Sequence, residues 1–109
     1  VAGKFSSAIT NTVLQLPVTK EGCRHVFHLY VVRTERRNEL QQLLKQNGVE
    51  TAIHYPTALP LLPAYKSSGH SAKDFPVAAA YQEQILSLPN YPELPDEAIS
   101  YIAGLLHGF

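Results

Sequence analysis

The sequence contains little of what marks several large classes of protein. It has one cysteine, Cys23, so no internal disulfide can form, and a reducing cytoplasm is the expected location. Nine lysines and arginines are balanced by nine acidic residues, so we expect no nucleic-acid partner. No apolar run approaches the roughly 20 residues that span a bilayer, and no membrane association is expected. Methionine is absent, even at position 1, and we expect the chain to be a piece of a longer protein.

Catalytic and metal-binding motifs are also missing. The glycines are scattered singly, which argues against a glycine-rich phosphate loop. His25 and His28 are three residues apart on a predicted strand, so they point to opposite faces and no metal site is expected. A Ser-His-Asp arrangement stays open, although no serine lies in a strained elbow motif. The basic cluster Arg33, Arg36 and Arg37 is interrupted by acidic residues and is interpreted as a solvated helix face.

The pattern of apolar residues predicts an α+β domain with a small, mostly antiparallel sheet and helices packed mainly on one face. Cys23–Thr34 is apolar on both sides, which predicts a central strand, and Leu86–Pro89 is predicted to be an edge strand. The other predicted elements are a helix or the end of one over residues 1–16, a helix over 35–48 capped by Thr34, a strand over 49–55, a helix from Pro76 through Ile85, and a last helix from Pro95.

Two features of the helices make specific predictions. Gly48 can adopt a positive φ without steric cost, so it should end the second helix in a Schellman motif, with Val49 folding back onto Leu44. The predicted buried stripe of the last helix consists of Ile99, Ile102, Ala103 and Leu106.

His54 and Tyr55 form the candidate binding feature. They end a β-branched segment and precede Pro56, Pro60 and Pro63, which cannot donate to a strand ladder. Polar groups held at a strand end beside a stiff loop commonly build binding sites. The alternative is that His54 caps the loop and Tyr55 only packs on its edge.

The order of short motifs resembles one enzyme family, the pyridoxal-phosphate-dependent nucleotide-sugar aminotransferases of the DegT type. The resemblance extends from about Val13 to Leu106 and corresponds to the C-terminal part of those enzymes. The motifs, in chain order, are His-x-Tyr at 28–30, Asn-Gly-Val at 47–49, His-Tyr-Pro at 54–56, Pro-Ala-Tyr at 63–65, Phe-Pro at 75–76 and Ser-Leu-Pro at 87–89.

The resemblance implies a small domain of the aspartate-aminotransferase type. Residues 1–109 would be one domain, the C-terminal fragment of a larger enzyme, with residues 1–16 as the end of an interdomain helix. The family transfers an amino group, usually from glutamate, to a keto sugar on a nucleoside diphosphate, with pyridoxal phosphate held by a lysine of the large domain. No lysine here matches that motif: the lysines are Lys4, Lys20, Lys45, Lys66 and Lys73. We therefore expect this chain alone to bind the cofactor weakly or not at all and not to catalyse, and we expect the parent enzyme to be a homodimer.

By the same resemblance, His54 and Tyr55 lie close to the cofactor and the sugar. His54 would donate to a phosphate or sugar oxygen, and Tyr55 would bound the sugar pocket. No catalytic residue and no metal ligand is assigned. His28 and Tyr30 are expected to pack within the domain or at its interface. Many relatives carry histidine where Pro60 stands, so the ring position that is aminated stays open.

Two alternatives remain at this point. The chain could be a freestanding α+β module that binds a protein or peptide through the proline-rich loop 56–63. A weaker alternative is a regulatory protein, since some members of the family were first described as regulators, but no DNA-binding element is visible.

Overall fold

Two short antiparallel strands form the sheet in the part of the chain that the structure describes. The structure is a computed structural model, and it describes residues 1–10 and 13–109. The elements, in chain order, are α1 (Ala2–Ala8), β1 (Tyr30–Arg33), α2 (Arg37–Gln46), two 3-10 helices (Leu59–Leu61 and Pro63–Ser68), α3 (Pro76–Tyr81), β2 (Ile85–Leu88) and α4 (Asp96–His107).

Extended segments flank this sheet on both sides. Gln15 pairs with Arg33 at the outer side of β1, and Ala52 pairs with Ser87 at the outer side of β2. Between them, Tyr30 lies opposite Leu88 in antiparallel register. The predicted α+β class with a small antiparallel sheet is therefore confirmed. β2 is an edge of this two-stranded sheet, as predicted for Leu86–Pro89, and the isolated bridge between Ala52 and Ser87 lies on its outer side.

The core lies between β1, α2 and α4. Tyr30 and Val32 point from β1 into it, while Leu40 and Leu44 contribute one face of α2. The predicted stripe of α4 is confirmed, since Ile99, Ile102, Ala103 and Leu106 are all buried. Apolar residues at helical spacing on α2 and α4 and alternate residues of β1 thus pack into a single apolar cluster.

Helix α1 is attached to this core by packing and by polar contacts. Phe5 is fully buried, and its ring centroid lies 5.2 Å from that of Tyr30. The Tyr30 hydroxyl is 2.9 Å from Ser6 Oγ. At the C-terminal end of the helix, His107 Nε2 lies 2.8 Å from the carbonyl oxygen of Ala8, a group that has no partner within the helix.

The predicted helix over residues 1–16 is too long. The helix ends at Ala8, and Ile9 is already extended, with φ −87° and ψ 110°. Further on, both backbone groups of Gln15 bond to Arg33, at 2.8 and 2.9 Å, which requires an extended chain. Thr12, part of the helical pattern, lies outside the described residues.

The predicted strand Cys23–Thr34 is also too long, because its first half is bent. His25 Nδ1 accepts a 2.8 Å hydrogen bond from the backbone N–H of Phe27. Phe27 has φ 51°, a left-handed conformation that interrupts an extended path. Asn90 Nδ2 donates to the Phe27 carbonyl at 2.6 Å and connects the bend to the segment that follows β2.

Other boundaries differ for similar reasons. The predicted strand over 49–55 forms only one bridge, at Ala52. Thr34 is not the N-cap of α2: its Oγ1 accepts from the Arg36 N–H at 3.3 Å, and the helix begins at Arg37. Pro76 does open α3, as predicted, but the helix ends at Tyr81 rather than near Ile85.

The end of α2 matches its prediction. Val49 N–H bonds to the Leu44 carbonyl at 2.9 Å, and Gly48 N–H bonds to the Lys45 carbonyl at 3.1 Å. Gly48 has φ 75°. These are the two bonds of a Schellman motif, so the predicted helix end is confirmed.

Replacing Gly48 by alanine should destabilise the protein by about 1–2 kcal/mol, because a Cβ disfavours the left-handed conformation. No atom lies within 4 Å of that Cβ position, so backbone strain alone is being tested. Gly104→Ala is the matched control: Gly104 lies in α4 with equally open space, and alanine there should stabilise by about 0.5–1 kcal/mol. The measurement is the free energy of unfolding in urea; effects of the same sign in both variants would contradict this account.

Tyr30 should make stability fall at high pH. Burial raises the pKa of Tyr30 above its ordinary value, and the hydrogen bond with Ser6 opposes this only in part. The unfolded chain ionises near about pH 10. The stability that neutral Tyr30 contributes to the folded protein is therefore complete below that pH. It is lost as the pH rises toward the higher pKa of Tyr30 in the folded protein. In alkaline unfolding titrations, Tyr30→Phe should fall less steeply above about pH 10 than the wild type. The exposed Tyr91→Phe variant should show the same pH dependence of stability as the wild type. If the Tyr30→Phe curve were also parallel to the wild-type curve, Tyr30 would not be the cause of the alkaline loss of stability.

Candidate functional site

His54 is held in place by β2. Its Nδ1 lies 2.8 Å from Ser87 Oγ, and Ser87 is only 4% exposed. Two residues earlier, Ala52 exchanges two backbone hydrogen bonds with Ser87, at 2.7 and 3.2 Å. The half-buried ring of His54 is therefore fixed by one side-chain contact and by the backbone pairing beside it.

Tyr55 is in ring contact with His54 but faces different surroundings. The two rings meet edge to face, with centroids 5.6 Å apart, across a cis peptide bond. Tyr55 is 73% exposed. It borders an apolar groove of about 580 Å³, whereas His54 borders a smaller cavity of about 230 Å³. The predicted pair is thus adjacent, but its members line separate cavities.

The proline-rich loop forms one wall of the apolar groove. The backbone N–H of Ala58 donates to Gln82 Oε1 at 2.7 Å, which ties the loop to the residue after α3. Pro60 lies inside the first 3-10 helix, Leu59–Leu61. The groove is lined by Tyr55, Pro56, Thr57, Ala58, Leu59, Leu62, Ala78, Tyr81, Gln82 and Ile85.

Two arginines contact residues that line this groove. The Arg33 guanidinium stacks 3.8 Å from the centroid of the Tyr81 ring. Arg37 is only 7% exposed and donates to the carbonyl oxygens of Gln82 and Ile85, at 3.4 and 3.3 Å. The interpretation of the basic cluster as a solvated face is therefore wrong for Arg37, which connects α2 to the turn before β2.

The cavities beside His54 and Tyr55 have no lysine in their linings, and the described residues contain no cluster of metal-ligating side chains. Residues 1–10 and 13–109 contain no group of three or more histidine, cysteine or acidic side chains that could hold a metal ion. All of the lysines are exposed, and none of them lines the cavities beside His54 or Tyr55. Pyridoxal phosphate is held by a lysine amine, and the linings of these two cavities do not supply one.

The remaining candidates have clear positions. Tyr30 packs in the core, as predicted, while His28 is exposed before β1. Cys23 is an exposed free thiol. None of the helices in the described part of the chain has the length and apolar character needed to cross a membrane.

Comparison with known proteins identifies the family. A model of the DegT/DnrJ/EryC1/StrS aminotransferase family matches residues 3–107. The chain belongs to this family. Its DegT-type α+β fold thus agrees with the resemblance carried by the ordered motifs.

Curated relatives of the DegT family are much longer than this chain. A pleiotropic regulatory protein of Geobacillus stearothermophilus is 36% identical over 104 residues, which cover 93% of this chain and 28% of the relative. A dTDP-3-amino-3,4,6-trideoxy-alpha-D-glucose transaminase of Streptomyces venezuelae is 43% identical over 79 residues, or 72% of this chain and 21% of the relative.

Solved structures of DegT-family proteins share the fold. DesV of S. venezuelae, in complex with a ketimine intermediate, superposes with a TM-score of 0.90 at 33% identity, over 98% of this chain and 29% of that one. A putative sugar aminotransferase of Streptococcus pneumoniae, 29% identical with a TM-score of 0.84, has been solved in a PLP form; the match covers 97% of this chain and 28% of that one. The family's aminotransferases use pyridoxal phosphate.

Gln82→Ala should loosen the proline-rich loop without disturbing the Ala52–Ser87 pairing. The Ala58 amide would lose its acceptor, so its hydrogen exchange should accelerate about fivefold, equivalent to about 1 kcal/mol. Gln82→Glu keeps an acceptor oxygen and should retain most of the protection. Amide exchange measured by NMR tests this, with the Ala52 amide as the internal reference. Unchanged exchange at Ala58 in Gln82→Ala would show that the loop is held by other contacts.

Proposed function

We propose that this chain is the small C-terminal domain of a pyridoxal-phosphate-dependent aminotransferase that acts on nucleotide-linked keto sugars. The observation that carries the proposal is the family match over residues 3–107, together with a TM-score of 0.90 to DesV. Relatives named for dTDP-linked and UDP-linked sugars support the substrate class. Glutamate as amino donor, a homodimeric parent and a cytoplasmic location belong to the proposal, and the free thiol of Cys23 is compatible with the last.

Within the enzyme, this domain would contribute a hydrogen-bond donor and part of the wall of the sugar pocket. His54 would donate a hydrogen bond to a phosphate or sugar oxygen of the bound substrate or cofactor. Tyr55 and the apolar groove beside it would bound the sugar. Pyridoxal phosphate supplies the electron sink for amino transfer when it is bound. The lysine that holds it would come from the large domain, because the lysines of this chain are exposed and none of them lines the cavity beside His54.

The alternative of a freestanding peptide-binding module is not favoured. Its basis was the loop 56–63, and that loop falls within a family match that extends over nearly the whole chain. The backbone N–H of Ala58 is also already paired with Gln82.

The full-length gene product should bind pyridoxal phosphate with the absorbance change of a lysine-bound cofactor. It should then convert glutamate to 2-oxoglutarate beyond one equivalent per active site only when a nucleotide-linked keto sugar is present, because the sugar must take up the amino group before the next turnover. The 109-residue chain alone should do neither. Failure of the full-length protein to take up pyridoxal phosphate would refute the proposal.

In that enzyme, His54→Ala should lower kcat/KM for the nucleotide sugar about ten- to hundredfold. This corresponds to about 1.5–3 kcal/mol for a hydrogen bond to a charged oxygen. His70→Ala is the matched control, since His70 is exposed and contacts Phe75 outside both cavities. Equal activity of the two variants would remove His54 from the site.

A further inference from the structure

The contact between His54 and Ser87 determines which nitrogen of the ring carries the hydrogen. Ser87 is almost fully buried in β2, and its backbone groups are both occupied by Ala52. Its hydroxyl lies 2.8 Å from His54 Nδ1. Among the described residues, His54 Nδ1 is the hydrogen-bond partner that this hydroxyl has.

A buried hydroxyl that donates to nothing would cost about 1–3 kcal/mol. The favoured arrangement therefore has Ser87 Oγ–H donating to His54 Nδ1. A neutral imidazole has one donor and one acceptor nitrogen. With Nδ1 as the acceptor, the hydrogen of His54 lies on Nε2, and Nε2 has no hydrogen-bond partner among the described residues.

We propose that Ser87 is a positioning residue that holds His54 in the tautomer with its hydrogen on Nε2, so that His54 presents a donor to a phosphate or sugar oxygen. The second half of this inference rests on the proposed function. The first half concerns the chain alone. Ser87 would act only through His54, and its effect on activity should vanish when His54 is absent.

The hydroxyl can be removed without removing the strand. The Ala52–Ser87 backbone bonds do not involve the side chain, so Ser87→Ala should keep the register of β2. Ser87→Thr keeps a hydroxyl, and β-branched residues suit a strand. Ser100→Ala is a matched control, because Ser100 is an exposed serine of α4.

Nitrogen NMR of the 109-residue chain tests the tautomer directly. Long-range proton–nitrogen correlations, recorded where the imidazole is neutral, should show wild-type His54 with Nε2 protonated and Nδ1 unprotonated. Ser87→Ala should shift His54 toward the tautomer mixture of the exposed His70, which serves as the reference in the same spectra. A protonated Nδ1 in the wild type, or an unchanged tautomer in Ser87→Ala, would overturn the proposal.

Kinetics of the full-length holoenzyme test the consequence. Ser87→Ala should lower kcat/KM about tenfold, equivalent to about 1.4 kcal/mol, and Ser87→Thr should restore much of it. Adding Ser87→Ala to His54→Ala should cause no further loss, because the serine acts only through the histidine. Losses that multiply in the double variant would indicate a merely structural serine and overturn the positioning role.

Two measurements on the Ser87→Ala holoenzyme also show whether the oxygen that accepts from His54 belongs to the nucleotide sugar or to the cofactor. A rise in KM for the nucleotide sugar with an unchanged Kd for pyridoxal phosphate places the oxygen on the nucleotide sugar; the converse places it on the cofactor. A full-length protein without aminotransferase activity would refute the proposed function, while the NMR result would still decide whether Ser87 sets the tautomer.

Discussion

The backbone pairing of Ala52 with Ser87 determines where both candidate site residues lie. These two hydrogen bonds place the segment after α2 against the outer side of β2. Gly48 makes the pairing reachable, because its left-handed conformation turns the chain sharply at the end of α2. His54 then lies two residues beyond Ala52, beside the Ser87 hydroxyl. Without this pairing, the loop after Tyr55 would still be tied to the body through Gln82, but His54 would lose its backbone attachment to β2.

Features specified by local chemistry were predictable from the sequence. The end of α2 at Gly48, the start of α3 at Pro76 and the buried stripe of α4 each depend on residues within one or two helical turns. The strand boundaries were not predictable in the same way. Segment 23–29 has strand-forming residues, yet the contacts of Phe27 with His25 and Asn90 bend it. Asn90 is 63 positions from Phe27, so local pattern carries no sign of this contact.

In the candidate site, too, what depends on neighbouring residues was predictable and what depends on distant contacts was not. His54 and Tyr55 could be selected from sequence because they end an apolar segment before several prolines. Their supports could not, since Ser87 is 33 positions from His54 and Gln82 is 24 positions from Ala58. Ser87 did carry a signal, its place in the Ser-Leu-Pro motif. That signal marked family resemblance without indicating a role. Arg37 gave the opposite impression of a solvated charge, because its burial depends on carbonyl groups 45 and 48 positions away.

The separate supports of the two residues have a consequence for the proposed enzyme. His54 is fixed by a buried strand, which is among the least mobile parts of a fold. Tyr55 is exposed, and the loop that follows it is tied to the body through Gln82. Under the proposed function, the polar contact to substrate or cofactor would thus lie on the rigid side, and the sugar-facing wall on the adjustable side. Because the two cavities are distinct, residues of the loop can change without altering the environment of His54. Under the proposed function, such an arrangement would let the loop adapt to the shape of the sugar while His54 stays in place.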